Sequence, residues 1–454
     1  MERENFRSRL GFLMVSAGCA IGIGNVWKFP YICGNGGGGL FVLIYLFFLL
    51  VMGVPILTME YAIGRNTRKS SAFAFNMLEK PGQKWHIQRY LAVIGNFVIM
   101  MFYTTVAGWM VQYFVNTATG RFHGLDAAGV ETAFADMMAS PGPMAVYTIL
   151  IIVAGFLICS LGLKNGVERI GKWMMLALLG IMVVLAVRNV FLPGASEGLA
   201  FYLLPSVERL QETGFGNVVV AAMNQSFFTL SVGIGGMEIF GSYLDKQNTL
   251  LGESVTVCLL DTFVAITSGL IIFPACFAYG VNPGSGPSLI FITLPNIFNH
   301  MAGGQIFGAF FFIFMTFAAF STVIGVFENI IALTSEIWNL ERKKACFINC
   351  ILILVLSMPC VLGFNVWADF QPLKAGNTIM DLEDFIVSNL LLPIGSLITI
   401  VFCTSRHGWG WKKFREEANT GKGPKIPNWL RVYCSYILPL LVAVIIIYGV
   451  VTYF

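Results

Sequence analysis

A glycine-rich stretch, Ala17-Gly18-Cys19-Ala20-Ile21-Gly22-Ile23-Gly24-Asn25, breaks the first apolar segment of this chain at its middle. A second stretch, Thr229-Leu230-Ser231-Val232-Gly233-Ile234-Gly235-Gly236-Met237-Glu238, breaks the sixth segment at the corresponding place in the other half. Lipid offers no hydrogen bonds, so a helix broken at membrane depth has to face protein or a watery cavity. Such paired breaks indicate the binding site of a transporter with inverted repeats.

The composition is that of a membrane protein. Of the 454 residues, 57% are hydrophobic and 11% are charged, and the mean hydropathy is +0.76. Soluble domains carry much more charge. About 20 apolar residues cross a bilayer as a helix, so the sequence predicts an all-α membrane protein with eleven transmembrane helices. They fall at about 10–35, 38–64, 90–118, 143–162, 170–191, 216–244, 253–280, 303–335, 346–363, 381–403 and 430–453.

The spans are predicted to form one domain. We expect a single transmembrane domain over residues 1–454, because no composition shift or low-complexity linker divides the chain. Within this domain, the breaks define a first repeat at about 8–191 and a second repeat at about 216–403. The last segment, 430–453, is then a peripheral helix outside both repeats.

Lysine and arginine are distributed unevenly between the alternate connections. With the N-terminus in the cytoplasm, 23 of the 28 Lys and Arg residues lie on the cytoplasmic side, which is the positive-inside pattern. We therefore expect a multi-pass protein of the cell (inner or plasma) membrane, with the C-terminus outside because eleven is odd. The net charge of +4 reflects this topology. It does not indicate nucleic-acid binding, and nothing in the sequence implies a protein partner.

The sequence contains no pattern typical of an enzyme. The ten cysteines form no C-x-x-C pair, and the four histidines fall in or near loops. Neither a metal cluster nor a disulfide framework is therefore expected. The glycines at 34–39 are not followed by Gly-Lys-Ser/Thr, so they do not form a phosphate-binding loop.

Longer motifs around the two breaks carry a resemblance to a known family. They are Gly22-Ile23-Gly24-Asn25-Val26-Trp27-Lys28-Phe29-Pro30-Tyr31 and Gln225-Ser226-Phe227-Phe228-Thr229-Leu230-Ser231. Through these motifs the whole chain resembles the neurotransmitter:sodium symporter family, and its eleven spans resemble the prokaryotic branch. The resemblance implies a LeuT-type fold, a 5+5 inverted repeat with broken helices 1 and 6. It also implies sodium-coupled symport of a hydrophobic or aromatic amino acid by alternating access.

The resemblance implies two sodium sites on the broken helices. Sodium prefers oxygen ligands, and carbonyls at a helix break have lost their intrahelical partners. The residues implied for the first site are Ala20, Asn25, Thr229 and Asp261. Those implied for the second are Gly18, Ile21, Ala318, Ser321 and Thr322. Without the resemblance, Ser321 and Thr322 could equally be small polar residues that pack between helices.

The resemblance also implies a pocket for a small zwitterionic amino acid. Its residues are Cys19, Ala20, Ile23, Gly24, Ile99, Tyr103, Phe228, Thr229, Ser231, Ile234, Thr322 and Val326. Tyr103 matches the family's tyrosine that hydrogen-bonds the substrate carboxylate. Gly22 stands where monoamine transporters carry an aspartate, which leaves room for a substrate with its own carboxylate. The pocket is mostly apolar, so we expect tyrosine or another aromatic amino acid first, then leucine or methionine.

Asp261 departs from the family pattern. Most members have an asparagine there, and animal members have a chloride-binding serine where this chain has Ala265. A buried carboxylate in a membrane needs a partner, and sodium would supply one. We therefore expect transport that does not need chloride, with Asp261 as a candidate for proton uptake on the return step. The alternative is a permanently protonated structural aspartate.

The resemblance assigns residues to two gates. Lys28 and Asp384 match the outer ion pair, with Phe228 as the lid beneath it, although the family usually has arginine in place of Lys28. The residues matching the inner gate are Arg3, Phe6, Ser242, Tyr243 and Glu336. The family usually has tryptophan and aspartate in place of Phe6 and Glu336, so surface solvation is the alternative for Arg3 and Glu336.

Two further acids lie in apolar sequence. Glu60 matches a family residue that caps backbone N–H groups of the broken sixth span. Glu238 matches no role, and its partner is left open. Three other functions compete with symport: an amino-acid sensor or receptor that binds without transporting, a membrane enzyme, and a pore-forming channel. The short polar connections leave no room for a long signalling extension between the spans, which argues against a sensor.

Overall fold

The computed structural model describes residues 4–280, 288–301 and 303–453, and these residues form helices joined by short connections, without a strand. The helices of the first half are α1 Arg9–Ala20, α2 Gly24–Asn35, α3 Gly39–Thr67, α4 Ala74–Leu78, α5 Trp85–Ala118, α6 Ala127–Ala139, α7 Pro141–Ser160, α8 Leu163–Val190, α9 Ala195–Leu203 and α10 Val207–Thr213. Those of the second half are α11 Phe215–Leu230, α12 Gly236–Ser242, α13 Leu250–Ala278, α14 Leu289–Asn299, α15 Gly304–Trp338, α16 Arg342–Leu362, α17 Ile379–Thr404, α18 Trp411–Ala418 and α19 Leu430–Val451.

The apolar helices confirm the predicted class of an all-α membrane protein. Nine helices in the described part of the chain are long and apolar enough to cross a membrane: α3, α5, α7, α8, α13, α15, α16, α17 and α19. A tenth span is the pair α1 and α2, which meet at an angle of 56°. The helices α11 and α12 have 16 and 7 residues and are each too short to span alone. The count of eleven therefore remains a prediction.

The first break lies between α1 and α2, as predicted. The side chain of Ser8 caps the start of α1 by accepting a hydrogen bond from the Gly11 N–H at 3.0 Å. The helix ends at Ala20, and Ile21 is extended, with φ −72° and ψ 100°. Its carbonyl and those of the preceding turn therefore lack helical partners. The break leaves these oxygens free to point at neighbouring helices.

The second break, residues 231–235, needs backbone conformations that glycine adopts at little cost. Ser231 is left-handed with φ 52°, and Gly233 and Gly235 have φ 107° and 75°. Gly233 is confined sterically as well, because an added Cβ would lie 2.1 Å from the Leu392 carbonyl oxygen. The break is therefore built into the sequence by its glycines.

The broken helices lie between the long helices of the bundle. Helix α15 packs against α5, α1 and α8, while α12 packs against the second half of α3 and α11 against its first half. The first break is thus enclosed by α8, α13 and α15 and the second by α3, α5 and α15, so the backbone groups of both breaks face protein rather than lipid. This is the arrangement that an interrupted helix requires in a membrane.

The connection 405–429 folds back against the predicted cytoplasmic end of the bundle. The Arg65 side chain, 2% exposed, donates from Nε to Glu417 Oε1 at 2.7 Å, and Asn66 Nδ2 donates to Glu417 Oε2 at 3.0 Å. Lys246 Nζ lies 3.3 Å from the same carboxylate. Burial alone would raise the pKa of Glu417, but these hydrogen bonds and the charges of Arg65 and Lys246 hold it below its ordinary value of 4.5.

Candidate sodium and substrate site

A first cluster of buried oxygens joins the two broken helices to α13. Asn25, Thr229 and Asp261 are all 0% exposed. Asn25 Nδ2 lies 2.7 Å from Asp261 Oδ1 and 2.8 Å from Thr229 Oγ1, and Thr229 Oγ1 donates to Asp261 Oδ2 at 3.0 Å. Ala20, the fourth residue predicted here, is the last of α1. The cluster brings side chains from α2, α11 and α13 to a single point.

One residue of this cluster, Tyr45, was not predicted from the sequence. The Tyr45 hydroxyl, on the buried side of α3, donates to Asp261 Oδ2 at 3.4 Å. Asp261 therefore accepts hydrogen bonds from three different helices, through Asn25 on α2, Tyr45 on α3 and Thr229 on α11. A tyrosine in an apolar span is usually explained by packing, so only the position of its hydroxyl identifies this contact.

A second cluster lies between the end of α1 and the middle of α15. Thr322 Oγ1 is 3.3 Å from the carbonyl oxygens of both Gly18 and Ile21. Ser321 Oγ is 3.4 Å from the Ile21 carbonyl and 2.9 Å from that of Ala318. Small polar residues that merely pack in a helix bond to their own backbone, whereas Thr322 reaches across to α1. Three carbonyls and two hydroxyls thus converge in a buried place, a suitable set of donors for a hard cation.

The predicted substrate pocket lies between these clusters. The Tyr103 hydroxyl accepts a hydrogen bond from the Ile23 N–H at 2.9 Å, and Ser231 Oγ donates to the Cys19 carbonyl at 3.4 Å. The remaining pocket residues are all at least partly buried: Ala20, Gly24, Ile99, Phe228, Thr229, Ile234, Thr322 and Val326. Direct contacts therefore join Ile23 to Tyr103 and Cys19 to Ser231, and the other predicted residues are buried on α1, α2, α5, α11, α15 and the second break.

Two glycines leave the space that this region needs. A Cβ added to Gly22 would lie 2.1 Å from the Tyr103 hydroxyl oxygen and 2.5 Å from Thr322 Oγ1. A Cβ added to Gly24 would lie 2.8 Å from Cδ1 of the Phe228 ring. Any side chain at either position would push the neighbouring groups away, so the first break depends on glycine for close approach as well as for its bend.

The predicted outer pair is in contact. Lys28 Nζ lies 3.3 Å from Asp384 Oδ2, and the side chains are 29% and 38% exposed. The same ammonium lies 3.4 Å from Ser388 Oγ and 4.0 Å from the centre of the Phe228 ring. The ammonium is a point charge rather than a two-pronged donor, and it is shared among three groups. Ser388 was not predicted from the sequence.

Among the described residues of the predicted inner gate, Phe6 contacts Tyr243, and Tyr243 and Glu336 line one cavity. Phe6 packs edge to face on Tyr243, with ring centres 5.8 Å apart. Glu336 accepts a hydrogen bond from Ser70 Oγ at 2.8 Å, and Ser242 Oγ donates within its own helix to the Ile239 carbonyl. Arg3 lies outside the described residues.

Buried acids on this side have partners that the sequence analysis did not find. Glu328, 0% exposed, accepts from Arg342 Nη1 at 2.9 Å and from the Tyr243 hydroxyl at 2.7 Å. Glu238 accepts from the Ser71 hydroxyl. An acid within an apolar segment signals such a network, but its partners are distant in sequence. These contacts link the end of α12 to α15, α16 and the connection after α3.

Glu60 holds the second break, as the resemblance implied. Its Oε1 accepts a hydrogen bond from the Gly233 N–H, and its Oε2 accepts from the Met237 N–H at 3.2 Å. The carboxylate thus accepts hydrogen bonds from N–H groups on both sides of Gly235, where no helical carbonyl can accept them. Glu60 therefore acts through the backbone of the break.

Two helix breaks at the centre of a membrane bundle, with buried oxygens gathered around them, define a secondary transporter. The chain matches the family model described as the sodium:neurotransmitter symporter family over residues 3–128 and 128–454, and it belongs to that family. Members of this family are symporters rather than enzymes, and their transport depends on sodium.

Individual relatives agree with this assignment. A protein of Bacillus subtilis named as the sodium-dependent transporter YhdH is 33% identical over 87% of this chain and 86% of its own length. A sodium-dependent transporter of Haemophilus influenzae is 32% identical over 98% of both chains. Among solved structures, MhsT in complex with L-phenylalanine is 34% identical, with a TM-score of 0.88 over 99% of this chain and 100% of MhsT. The predicted LeuT-type fold is thereby confirmed.

Proposed function

We propose that this chain couples the entry of sodium to the uptake of an apolar amino acid, with an aromatic one as the preferred substrate. The observation that carries the proposal is the pair of buried oxygen clusters on either side of the pocket formed by Tyr103, Gly22 and the second break. The complex of the relative MhsT with L-phenylalanine supports an aromatic substrate. The alternating-access mechanism follows from placing this pocket between two gates.

The pocket would recognise the carboxylate of the substrate through the first break. The Ile23 N–H there has no helical partner and donates to Tyr103, whose hydroxyl can in turn donate to an anion, while the Gly22 N–H donates to Asn25 Oδ1. Because Gly22 has no side chain, the hydroxyls of Tyr103 and Thr322 lie directly against the first break, where they would reach a carboxylate bound there. The substrate side chain would then lie among the apolar residues Ile99, Ile234 and Val326.

Two sodium ions would occupy the oxygen clusters. In the first cluster the Asn25 NH₂ group faces Asp261, while its oxygen accepts from the Gly22 N–H at 3.1 Å. Presenting that oxygen to a cation beside Asp261 would require the amide to turn over and release the Gly22 N–H. Asp261 would supply the negative charge that balances the ion. Because this charge is part of the protein and Ala265 offers no hydroxyl, we propose that transport does not need chloride. Proton uptake by Asp261 on the return step would keep the empty site neutral.

The gates would open in turn. The Lys28–Asp384 pair above Phe228 would close the outside, and Arg3, Phe6, Ser242, Tyr243 and Glu336 would close the inside. Sodium shifts the balance of states only by binding one state more tightly than the other. We propose that sodium favours the outward-open state and that the substrate favours closure. The two repeats, 8–191 and 216–403, would move within one domain.

We further propose the plasma membrane, with the N-terminus in the cytoplasm, because the Lys and Arg residues concentrate in the connections on that side. In this orientation each sodium ion that enters gains about 2.3 kcal/mol per 100 mV of membrane potential. This free energy would drive accumulation of the amino acid against its gradient.

Uptake into proteoliposomes tests the proposal. Purified protein is reconstituted, an inward sodium gradient is applied, and uptake of each of the twenty radiolabelled amino acids is measured with chloride or gluconate as the anion. We expect sodium-dependent accumulation of an aromatic amino acid that is equal in both anions. Binding without accumulation would instead identify a sensor, and failure to bind any amino acid would contradict the proposal. A requirement for chloride would contradict the role given to Asp261.

A further inference from the structure

The backbone of the second break is held from two sides by buried amides as well as by Glu60. Asn96 Nδ2 on α5 donates to the Ile234 carbonyl at 2.8 Å, and Asn329 Nδ2 on α15 reaches the same oxygen at 3.4 Å. Asn329 Nδ2 also donates to Asn96 Oδ1 at 2.9 Å. Both asparagines are 0% exposed. Two long helices thus fix the position of a single peptide group, that of Ile234.

The neighbouring peptide is fixed in the same way. Gln88 Nε2, two turns before Asn96 on α5, donates to the Gly233 carbonyl at 3.1 Å, and Glu60 accepts from the Gly233 N–H. The backbone on the N-terminal side of Ile234 is therefore bonded through both its donor and its acceptor. A backbone held like this in a dry interior cannot shift without leaving buried polar groups unpaired.

The side chain of Ile234 is confined by a glycine. A Cβ added to Gly95 on α5 would lie 2.4 Å from Ile234 Cγ2 and 3.3 Å from its Cβ. Carbon atoms in contact are normally about 3.5–4.0 Å apart, so this site accepts Ile234 only because residue 95 lacks a side chain. Gly95 therefore allows the Ile234 side chain to pack directly against α5.

The contact between Gly95 and Ile234 lies beside the predicted pocket. Gly95, Ile99 and Tyr103 are spaced four residues apart on α5 and so share one face of the helix. On α15, Thr322, Val326 and Asn329 share a face for the same reason. The residues that hold Ile234 are thus continuations of the two stripes that line the predicted pocket.

We propose that Gly95, with the Asn96–Asn329 pair, determines the size of substrate that this transporter accepts, by fixing how far Ile234 stands away from the substrate. The inference rests on the proposed function of amino-acid binding and names specificity-determining positions that act through Ile234. None of the three residues needs to touch the substrate. Their effect is on the volume left for its side chain.

A side chain added at position 95 should affect the binding of large substrates more than that of small ones. In Gly95→Ala the new methyl group collides with Ile234 Cγ2, and the bonded backbone cannot retreat. Isoleucine has few χ1 alternatives, so its side chain has to turn away from α5 and into the pocket. A large substrate side chain then loses room, whereas a small one does not. Differences of this size in a hydrophobic pocket change discrimination by about 10–200-fold.

Competition binding measures this effect. Binding of L-phenylalanine, L-leucine and L-alanine is compared in saturating sodium, with the tightest of the three as radioligand. We expect Gly95→Ala to weaken L-phenylalanine about tenfold or more relative to L-alanine. Gly171→Ala is the matched control, because its buried helical position would place the new Cβ 3.5 Å from Val15, an ordinary contact. The control should leave the ratio unchanged.

Two double variants show whether the effect passes through Ile234. In the Ile234→Ala background the clashing methyl is gone, so adding Gly95→Ala should change the ratio by less than threefold. In the Asn96→Ala background the Ile234 carbonyl loses its closer amide donor, so the backbone is held less firmly and the effect of Gly95→Ala should shrink. Such couplings are expected between residues that are in contact or that act through a shared backbone shift. If the single variant Gly95→Ala folds poorly, the ratio of substrate affinities can still be compared in the Ile234→Ala and Asn96→Ala backgrounds.

The outcomes separate the inference from the function on which it rests. Equal weakening of all three amino acids by Gly95→Ala, or the same shift with and without Ile234, would overturn the inference while leaving amino-acid binding intact. Failure of the unaltered protein to bind any of the twenty amino acids would overturn the proposed function and, with it, the inference.

Discussion

The two helix breaks have similar sequences but are held very differently. At the first break the carbonyls of Gly18 and Ile21 are approached by the hydroxyls of Ser321 and Thr322, at 3.3–3.4 Å. At the second, the peptide groups around Gly233 and Ile234 are bonded by a carboxylate and three amides. Side chains bond the first break as well, at the N–H groups of Gly22 and Ile23. Its Gly18 and Ile21 carbonyls face hydroxyls, whereas the Gly233 and Ile234 carbonyls of the second break are held by amide donors. We therefore assign cation binding to the first break and the positioning of Ile234 to the second.

The largest effect is expected from removing the Glu60 carboxylate, which holds the backbone of the second break. Glu60→Ala leaves the N–H groups of Gly233 and Met237 buried without an acceptor, at a cost of about 1–3 kcal/mol each. We expect a lower melting temperature in detergent and a large loss of folded protein. Glu238→Gln is the control, since this carboxylate accepts from the Ser71 hydroxyl rather than from backbone. An equal fall in melting temperature and in folded protein in both variants would show that the backbone hydrogen bonds of Glu60 have no special role in holding the second break.

The next effect concerns the oxygens of the first break. Thr322→Val keeps the shape of the side chain but removes the hydroxyl that faces Gly18 and Ile21. We expect the sodium concentration needed for half-maximal substrate binding to rise about tenfold, which corresponds to about 1.4 kcal/mol, with little change in melting temperature. Thr316→Val on the same helix is the control, because its hydroxyl bonds to the Phe312 carbonyl of its own helix. A matching shift in this control would contradict a cation site at Thr322.

A smaller effect is expected at the outer pair above the first break. Lys28→Met removes the contacts with Asp384 and Ser388, but the pair is partly exposed, and exposed ion pairs contribute little. We expect a change of a few-fold in the substrate KM and an unchanged sodium dependence. Ser388→Ala, which keeps the ion pair, should have less effect. A complete loss of transport in Lys28→Met would show that the pair does more than close a gate.

The smallest effect is expected at Glu417, far from both breaks. Its pKa is lower in the folded protein than its ordinary value of 4.5, so the ionised form stabilises the fold at higher pH. This stabilisation is present above the ordinary pKa and is lost as pH falls through the lowered one. The melting temperature of Glu417→Gln should therefore be below that of the unaltered protein at pH 7 and approach it in acid. The exposed neighbour Glu416→Gln should show no such convergence.

The breaks themselves were predictable because their causes are local. Gly233 and Gly235 are needed for positive φ, and glycine within an apolar span is visible in the sequence. The convergence of Asn25 with Thr229 and Asp261 became predictable through the resemblance to the family, since the three residues are up to 236 positions apart.

The bracing of the second break could not be predicted from the sequence. Asn96 and Asn329 look like ordinary polar residues of long apolar helices, and no spacing rule shows that they share the Ile234 carbonyl. Gly95 likewise looks like any helical glycine until Ile234 is found against it. The same holds for Glu328, whose partner Arg342 begins the following helix. Long-range packing decides each of these contacts.

A sodium titration of substrate binding tests most directly whether the first break is an ion site. Binding of radiolabelled L-phenylalanine is measured as sodium replaces potassium at constant ionic strength, with chloride or gluconate as the anion. Two ions bound beside the substrate predict a steep dependence with a Hill coefficient above one, identical in both anions. Binding of the same strength in potassium alone would contradict the account.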